Sequence, residues 1–111
     1  MRVRIRGQAA EITKEVRSHA DRMVRFTMGR FAGAVEDVSL LLEESGDSLR
    51  GTLFRCRVSV RLVPRGHLSV THAGGEASAV VDAALERAAR AVQRRLQFRL
   101  QGYAPCDQTN R

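Results

Sequence analysis

The chain has 111 residues and a mass of 12.3 kDa, which is the size of one compact domain. With 43% hydrophobic and 28% charged residues the composition is globular, and no apolar run is long enough for a membrane helix. The first six residues alternate arginine with apolar side chains and lack the apolar core of a signal peptide. We therefore expect a cytoplasmic protein without a membrane partner.

The net charge of +7 is carried by one part of the chain. Arginine provides eighteen of the nineteen cations, and a codon preference of the genome is one explanation for that ratio. However, residues 1–49 contain eight cations and eight anions, whereas residues 50–111 contain eleven cations and four anions. The ranges 50–73 and 87–101 each hold five arginines and no acidic residue. This segregation favours a surface that faces a polyanion.

The first half of the chain predicts a strand, a helix and a second strand. Residues 2–6 alternate between apolar and arginine side chains, as a half-buried strand does. Thr13 predicts the N-cap of an amphipathic helix of about five turns that ends between Gly29 and Gly33. Residues 38–42 predict the second strand, which we expect to end at 43–44 and to be followed by a turn.

The second half predicts a hairpin and a long helix. Residues 54–62 alternate most regularly, and the short connection over 64–66 favours an antiparallel hairpin with a fourth strand. A helix then begins at Glu76 or Ala77, after two glycines. Arginine interrupts its apolar stripe from residue 95 onwards, so we expect the helix to extend beyond the sheet.

The element order is therefore β-α-β-β-β-α, which is an α+β fold. Since each helix has one apolar stripe and the strands have one apolar face, we predict a four-stranded sheet with two helices packed on one face. The domain covers residues 1–101, and residues 102–111 form a polar C-terminal tail. The opposite face of the sheet is expected to be open and polar, with six arginines: Arg2, Arg4, Arg6, Arg55, Arg57 and Arg61.

No group of residues indicates catalysis, a metal site or a cofactor, so we expect neither an enzyme nor a small-molecule substrate. His19 lies at the edge of the first helix's apolar stripe, where a structural role is expected. His67 and His72 stand at opposite ends of a short strand, without a third ligand nearby. Gly74 and Gly75 lack the rest of a phosphate-binding motif and predict a plain turn.

The two cysteines and a cluster of acidic residues also predict structural roles. Cys56 belongs to the apolar face of its strand and is expected in the core, while Cys106 lies in the polar tail. Cysteines placed so differently form neither a disulfide framework nor a zinc motif. Glu43, Glu44 and Asp47 lack an accompanying nucleophile or base, so we expect a solvated loop there.

Several local strings, taken with the element order, point to a known family. The first helix contains Arg25-Phe26 and Gly29-Arg30-Phe31, the third strand contains Arg55-Cys56-Arg57-Val58, and the last helix contains Ala79-Val80-Val81-Asp82. From about Met1 to Leu100 the chain resembles the ribosome hibernation-promoting factor family, also called ribosome-associated inhibitor A or sigma-54 modulation protein. It departs from the family's pattern at Ser78, where an aromatic residue is usual, and in the turn over 46–51.

The resemblance implies a bacterial protein of the family's short form, whose partners are the small ribosomal subunit and its rRNA. It implies binding in the channel that mRNA and tRNA use, silencing of idle ribosomes in stress or stationary phase, and no required homo-oligomer. Arginine suits this role because its planar fork pairs with phosphate and stacks on bases. We predict RNA contacts from the last helix first, then the first helix, then the third strand: Arg87, Arg90, Arg94, Arg95, Arg22, Arg25, Arg30, Arg55, Arg57 and Arg61.

Two other functions stay open at this point. Short basic α+β domains also bind free RNA helices, as modules of the double-stranded-RNA type do. Alternatively, a sheet edge or the sheet face around Leu41 could serve a protein–protein module that acts on a transcription regulator. Co-sedimentation with ribosomes separates the first alternative from ribosome binding, and a complex insensitive to salt would indicate the second.

Overall fold

The protein is a four-stranded sheet with two helices, seen in a computed structural model that describes residues 1–7, 13–48 and 51–100. The strands lie side by side in chain order, with β1 parallel to β2 and the other neighbours antiparallel. The predicted α+β fold and its element order are confirmed. The elements are β1 (Arg2–Gly7), α1 (Lys14–Met28), a short 3₁₀ helix (Gly29–Phe31), β2 (Val35–Ser48), β3 (Gly51–Leu62), β4 (His67–Gly74) and α2 (Ala77–Leu100).

Both helices pack on one face of the sheet, and the hydrophobic core lies between the two layers. β3 shows the pattern most clearly, because its apolar side chains are buried while the arginines between them are exposed. Full burial of each Val or Leu side chain stabilises the fold by about 1.5–3 kcal/mol. The fully buried residues of the two helices are Ala20, Val24, Met28, Val81, Ala84, Leu85, Ala88 and Val92.

Helix α1 begins where the sequence predicts and ends earlier. The Thr13 hydroxyl oxygen accepts a hydrogen bond from the backbone N–H of Val16 at 3.3 Å, which confirms the predicted N-cap. The α-helix spans 15 residues, about four turns rather than five. Gly29 is the C-cap of the α-helix, and Gly29 to Phe31 continue the chain as a single 3₁₀ turn.

Strand β2 is longer than predicted. Its predicted end at 43–44 is wrong, and so is the loop expected at Glu43, Glu44 and Asp47, since all three lie within the strand. β2 continues to Ser48, with Ser45 opposite Leu53 and Ser48 opposite Gly51. Residues 45–48 prefer a turn, but backbone pairing with the long strand β3 outweighs that preference. At Gly51 the backbone φ of +109° lies in the region that only glycine adopts without strain.

A β-bulge near the start of β2 sets which side chains reach the open face. Val35 lies opposite Leu62, whereas Asp37 lies opposite Arg61, so Glu36 is an extra residue in the ladder. Because of it, Val35 packs in the core while Asp37 lies on the side of the arginines, in one row with Arg2 and Arg61, where it is itself buried. Simple alternation would have put both residues on the same side.

Helix α2 is the longest element. It packs along β4 in the opposite direction and extends beyond the end of that strand. Its 24 residues span about 36 Å, whereas the eight residues of β4 span about 26 Å. The side chains on the apolar stripe of α2 are buried up to Val92. Leu96 is half-buried, and Phe98 is exposed. This agrees with the expectation that the helix outruns the sheet. Within the described ranges, no helix is long and apolar enough to cross a membrane.

The junction between β4 and α2 requires glycine at position 74. A Cβ on Gly74 would lie 2.9 Å from Cγ2 of Val80, which is buried, β-branched and unable to rotate away. We therefore expect Gly74→Ala to lower the free energy of unfolding by about 1–3 kcal/mol in urea denaturation. Gly75→Ala is the matched control, since its Cβ would meet nothing within 4 Å. Equal effects of the two substitutions would contradict this packing.

Candidate nucleic-acid interface

Three arginines form a row along the exposed face of α2. Arg87, Arg90 and Arg94 follow one another at spacings of three and four residues, which places them on one side of the helix. They line a groove of about 230 Å³ between α2 and β4, whose apolar lining is Val70 and Ala91. We call it the β4 groove. Three exposed guanidinium groups along one groove make it an anion-binding surface.

Arg87 also ties α2 to the sheet. Its Nη1 donates a hydrogen bond to the backbone carbonyl of Thr71 in β4 at 2.8 Å. A guanidinium group carries five N–H donors, so this bond leaves others for a ligand. The bond fixes the direction of the side chain, and the charge of Arg87 is thereby held at the β4 groove.

A second groove, of about 360 Å³, lies between the two helices. We call it the α1 groove; its lining residues are Phe26, Thr27, Arg30, Glu86, Ala89 and Arg90. Arg90 lines both grooves and so connects them into one surface. Its Nη2 lies 3.6 Å from Oε1 of Glu86, in an exposed ion pair that is worth less than about 1 kcal/mol and gives way easily to a phosphate.

The three candidate arginines of the first helical segment have different surroundings. The Arg30 guanidinium carbon lies 4.8 Å from the centroid of the Phe31 ring, a cation–π contact that orients it. Arg25 pairs through Nε with Oδ2 of Asp21 at 3.2 Å, one helical turn away. Arg22 lines a separate depression with Lys14, Glu15 and Ser18. Arg30 is therefore the one of the three that the structure brings next to the row on α2.

The candidate arginines of β3 lie on the opposite side of the molecule. Arg55, Arg57 and Arg61 are exposed on the open sheet face, as predicted. Arg55 lies opposite Glu43, and Arg61 lies opposite Asp37, so acidic neighbours offset part of their charge. The arginines of β1 extend the same face: Arg2, Arg4 and Arg6.

Seven of the ten predicted site residues lie on two basic surfaces that face in opposite directions, while Arg22 and Arg25 belong to neither. The helix surface consists of Arg30, Arg87, Arg90 and Arg94, and the sheet surface consists of the six arginines of β1 and β3. The Cα atoms span only 16 Å along the shortest axis of the molecule. Arg95 is half-buried near the end of α2, and the structure assigns it to neither surface.

Two other candidates have structural roles. Nε2 of His19 lies 2.7 Å from Oδ1 of Asp82, so this histidine joins α1 to α2 as the sequence predicts for a structural residue. The Glu76 carboxylate accepts hydrogen bonds from the backbone N–H groups of Ser78 at 3.3 Å and Ala79 at 2.9 Å. A phosphate at this helix N-terminus would need those donors, so the plain turn is the correct interpretation of the preceding glycines.

The other two histidines lie on opposite faces of β4, and one of them is the cross-strand neighbour of the cysteine in β3. His67 is opposite Arg61 on the open face, whereas His72 is opposite Cys56 on the core side. Cys56 is fully buried, as predicted, and burial raises the pKa of its thiol to about 12. Cys106 and the predicted tail lie outside the described residues. In the described part of the chain, no three His, Cys, Asp or Glu side chains are placed to hold a metal ion.

Sequence reasoning missed two features of the helix surface. The first is the bond from Arg87 to Thr71, which joins residues sixteen positions apart and has no local signal. The second is Phe26, whose side chain is 80% exposed. The sequence does predict this exposure. Phe26 stands four residues from both Arg22 and Arg30 and therefore falls on the basic side of the helix.

The comparisons with known proteins agree with this architecture. Residues 3–99 match the model of a family described as sigma 54 modulation protein / S30EA ribosomal protein. The N-terminal domain of Protein Y from Thermus thermophilus has a similar structure, with a TM-score of 0.68 and 22% identity over 85% of this chain and 98% of that one. A ribosomal subunit interface protein from Coxiella burnetii gives a TM-score of 0.70 and 11% identity, over 87% of this chain and 99% of that one.

A comparison with curated proteins gives no match. The two solved structures establish the fold, and the family model covers the described elements from β1 to the last turn of α2. The chain belongs to the sigma 54 modulation protein / S30EA ribosomal protein family.

Proposed function

We propose that this protein binds the rRNA of the small ribosomal subunit in the channel that mRNA and tRNA use, and so keeps idle ribosomes inactive in stress or stationary phase. The observation that carries the proposal is the helix surface. Its exposed arginines lie along two grooves that Arg90 connects, with Arg94 in one groove and Arg30 in the other. Its support is membership of a family described as ribosomal. A similar structure from Coxiella burnetii is named a ribosomal subunit interface protein, which supports the same partner.

The proposed mechanism is occupation of a binding channel. Guanidinium groups on the helix surface would contact phosphates in pairs of parallel hydrogen bonds, and the sheet surface would face a second segment of rRNA. Two basic surfaces on opposite sides suit a molecule that fits between RNA walls. Such contacts read the backbone and shape of folded RNA rather than its base sequence. Inhibition then follows from excluding mRNA and tRNA and needs no chemical step.

Co-sedimentation tests the partner. The purified protein is centrifuged through sucrose with small subunits, with large subunits and with naked duplex RNA of matched phosphate content. We expect it to travel with small subunits and to remain at the top with the other two. Equal binding to naked duplex RNA would instead identify a free RNA-binding module and contradict the proposal.

The proposed interface makes the affinity strongly dependent on salt. About six to eight phosphate contacts give a slope of about −4 to −7 for the logarithm of the association constant against the logarithm of salt concentration. Filter binding to small subunits between about 50 and 200 mM potassium chloride measures this slope. A slope near zero would rule out an RNA interface and point to a protein partner.

A further inference from the structure

We infer that the α1 groove is a stacking site for one unpaired nucleobase of RNA, with the ring of Phe26 as the platform. The inference rests on the proposed function, because it specifies which part of an RNA the helix surface receives. It is carried by the exposure of one aromatic ring, by the chemistry of the groove around it, and by the two cations that flank it.

The first observation is the exposure of Phe26. Its side chain is 80% exposed, well above the other large apolar side chains on the described surface, such as Phe98 at 46%. A bare aromatic ring on a helix whose buried side already includes Val24 and Met28 adds nothing to the core. Exposed rings beside cations are the platforms on which proteins stack single-stranded nucleic acid.

The second observation is that the floor of the α1 groove offers little to hydrogen-bond. Ala89 is buried and apolar. The hydroxyl of Thr27 already donates to the backbone carbonyl of Met23 at 2.8 Å. A planar group on this floor therefore gains stacking and apolar contact, and the hydrogen-bonding groups of the lining are the charged side chains of Arg30, Arg90 and Glu86. The site is expected to accept any of the four bases, as stacking platforms do.

The third observation is the position of the cations. Arg30 stands on the α1 side of the groove, oriented by the Phe31 ring, and Arg90 stands on the α2 side, paired with Glu86. A nucleotide whose base lies on Phe26 carries a phosphate on either side, and one guanidinium is available to each. A base inside a duplex is covered by its neighbours and cannot reach the ring, so the groove selects unpaired nucleotides.

Fluorescence tests the stacking directly, since the chain contains no tryptophan. Phe26→Trp introduces one indole at the platform, and a single-stranded oligoriboadenylate of about eight nucleotides is the probe. We expect the indole emission to be quenched as the probe saturates. Phe98→Trp is the control, because it places an indole on α2 outside the groove, and its emission should change little. An oligomer of equal length with abasic sugars keeps the phosphates and should quench neither variant.

Affinity provides the second readout. Phe26→Ala is expected to weaken binding of the oligoriboadenylate by about 5- to 100-fold and to leave binding of the abasic oligomer unchanged. Phe26→Tyr should restore the affinity, because it restores the ring. Since Phe26 is exposed, the melting temperature of each variant should match that of the unsubstituted protein.

The outcomes separate this inference from the proposed function. Quenching by the abasic oligomer as strong as by the normal one would overturn the stacking site, and so would unchanged affinity in Phe26→Ala. A reporter at position 26 that responds to small subunits but not to the oligonucleotide would show that the contact is not an unpaired base of a single strand and would also overturn it. In these cases the unsubstituted protein still sediments with small subunits; failure of that sedimentation overturns the proposed function instead.

Discussion

The double substitution Arg90→Glu/Arg94→Glu is expected to abolish co-sedimentation with small ribosomal subunits. It removes two exposed cations from the middle and end of the row on α2 and changes the net charge from +7 to +3. Each hydrogen bond to a charged group is worth about 1.5–3 kcal/mol, and the new carboxylates repel phosphate, so affinity should fall by at least about a hundredfold. The fold should persist, because the Arg90–Glu86 pair, which the change removes, is exposed.

The control is Lys14→Glu/Arg65→Glu, which changes the net charge equally at two exposed residues that belong to neither the helix surface nor the sheet surface. This variant should still sediment with small subunits at moderate salt. Circular dichroism melting checks that both variants are folded. If the two variants lost binding equally, net charge rather than the row on α2 would determine the affinity. Retention of binding in Arg90→Glu/Arg94→Glu would exclude α2 as the contact.

The stability of the protein is expected to fall steeply above pH 9 because of Cys56. Burial raises the pKa of this thiol from 9.0 to about 12, so the folded state keeps its proton where the unfolded chain loses it. Below pH 9 both states are protonated and the thiol has no effect on the pH dependence. Between pH 9 and 12 the free energy of unfolding should decrease by up to about 1.4 kcal/mol per pH unit.

Urea denaturation at a series of pH values measures this effect. Serine is first placed at position 106, so that Cys56 is the single thiol of the chain. The matched variant Cys56→Ala cannot ionise at that position, and its stability should decline less between pH 9 and 12. Parallel curves for the two proteins would contradict a proton held by the buried thiol. The comparison cancels the contributions of all other groups, because the two proteins differ only at position 56.

The fold was predictable wherever the residues of a single strand or helix determine which of its faces is buried. In β3 the strict alternation of apolar residues with arginine determines which side is buried, whatever the neighbours are. The N-cap at Thr13 is equally local, since its partner is three residues away. The end of β2 was not predictable in this way, because residues 45–48 become a strand only through pairing with β3. The bulge at Glu36 likewise depends on the register between two strands.

The candidate site also combines features that one element predicts with features that depend on how two elements pack. The spacing of arginines on α2 predicts their common face, and the two-layer fold predicts that the arginines of β3 face the other way. That Arg30 meets Arg90 depends on how the helices align, to which the contact of His19 with Asp82, 63 residues apart, contributes. No pattern within one helix contains that alignment. For the same reason the α1 groove, which needs both helices, emerges only from the three-dimensional structure.

The bond between Arg87 and Thr71 also bears on how copies of this chain behave toward one another. β4 is an edge strand, and the free backbone groups of an edge are a template on which a foreign strand can add. A strand arriving at Thr71 meets a backbone acceptor already occupied by a charged guanidinium. The other edge strand, β1, carries arginine at every second position, so two such strands repel each other. Arginine therefore protects both edges of the sheet against the addition of a foreign strand.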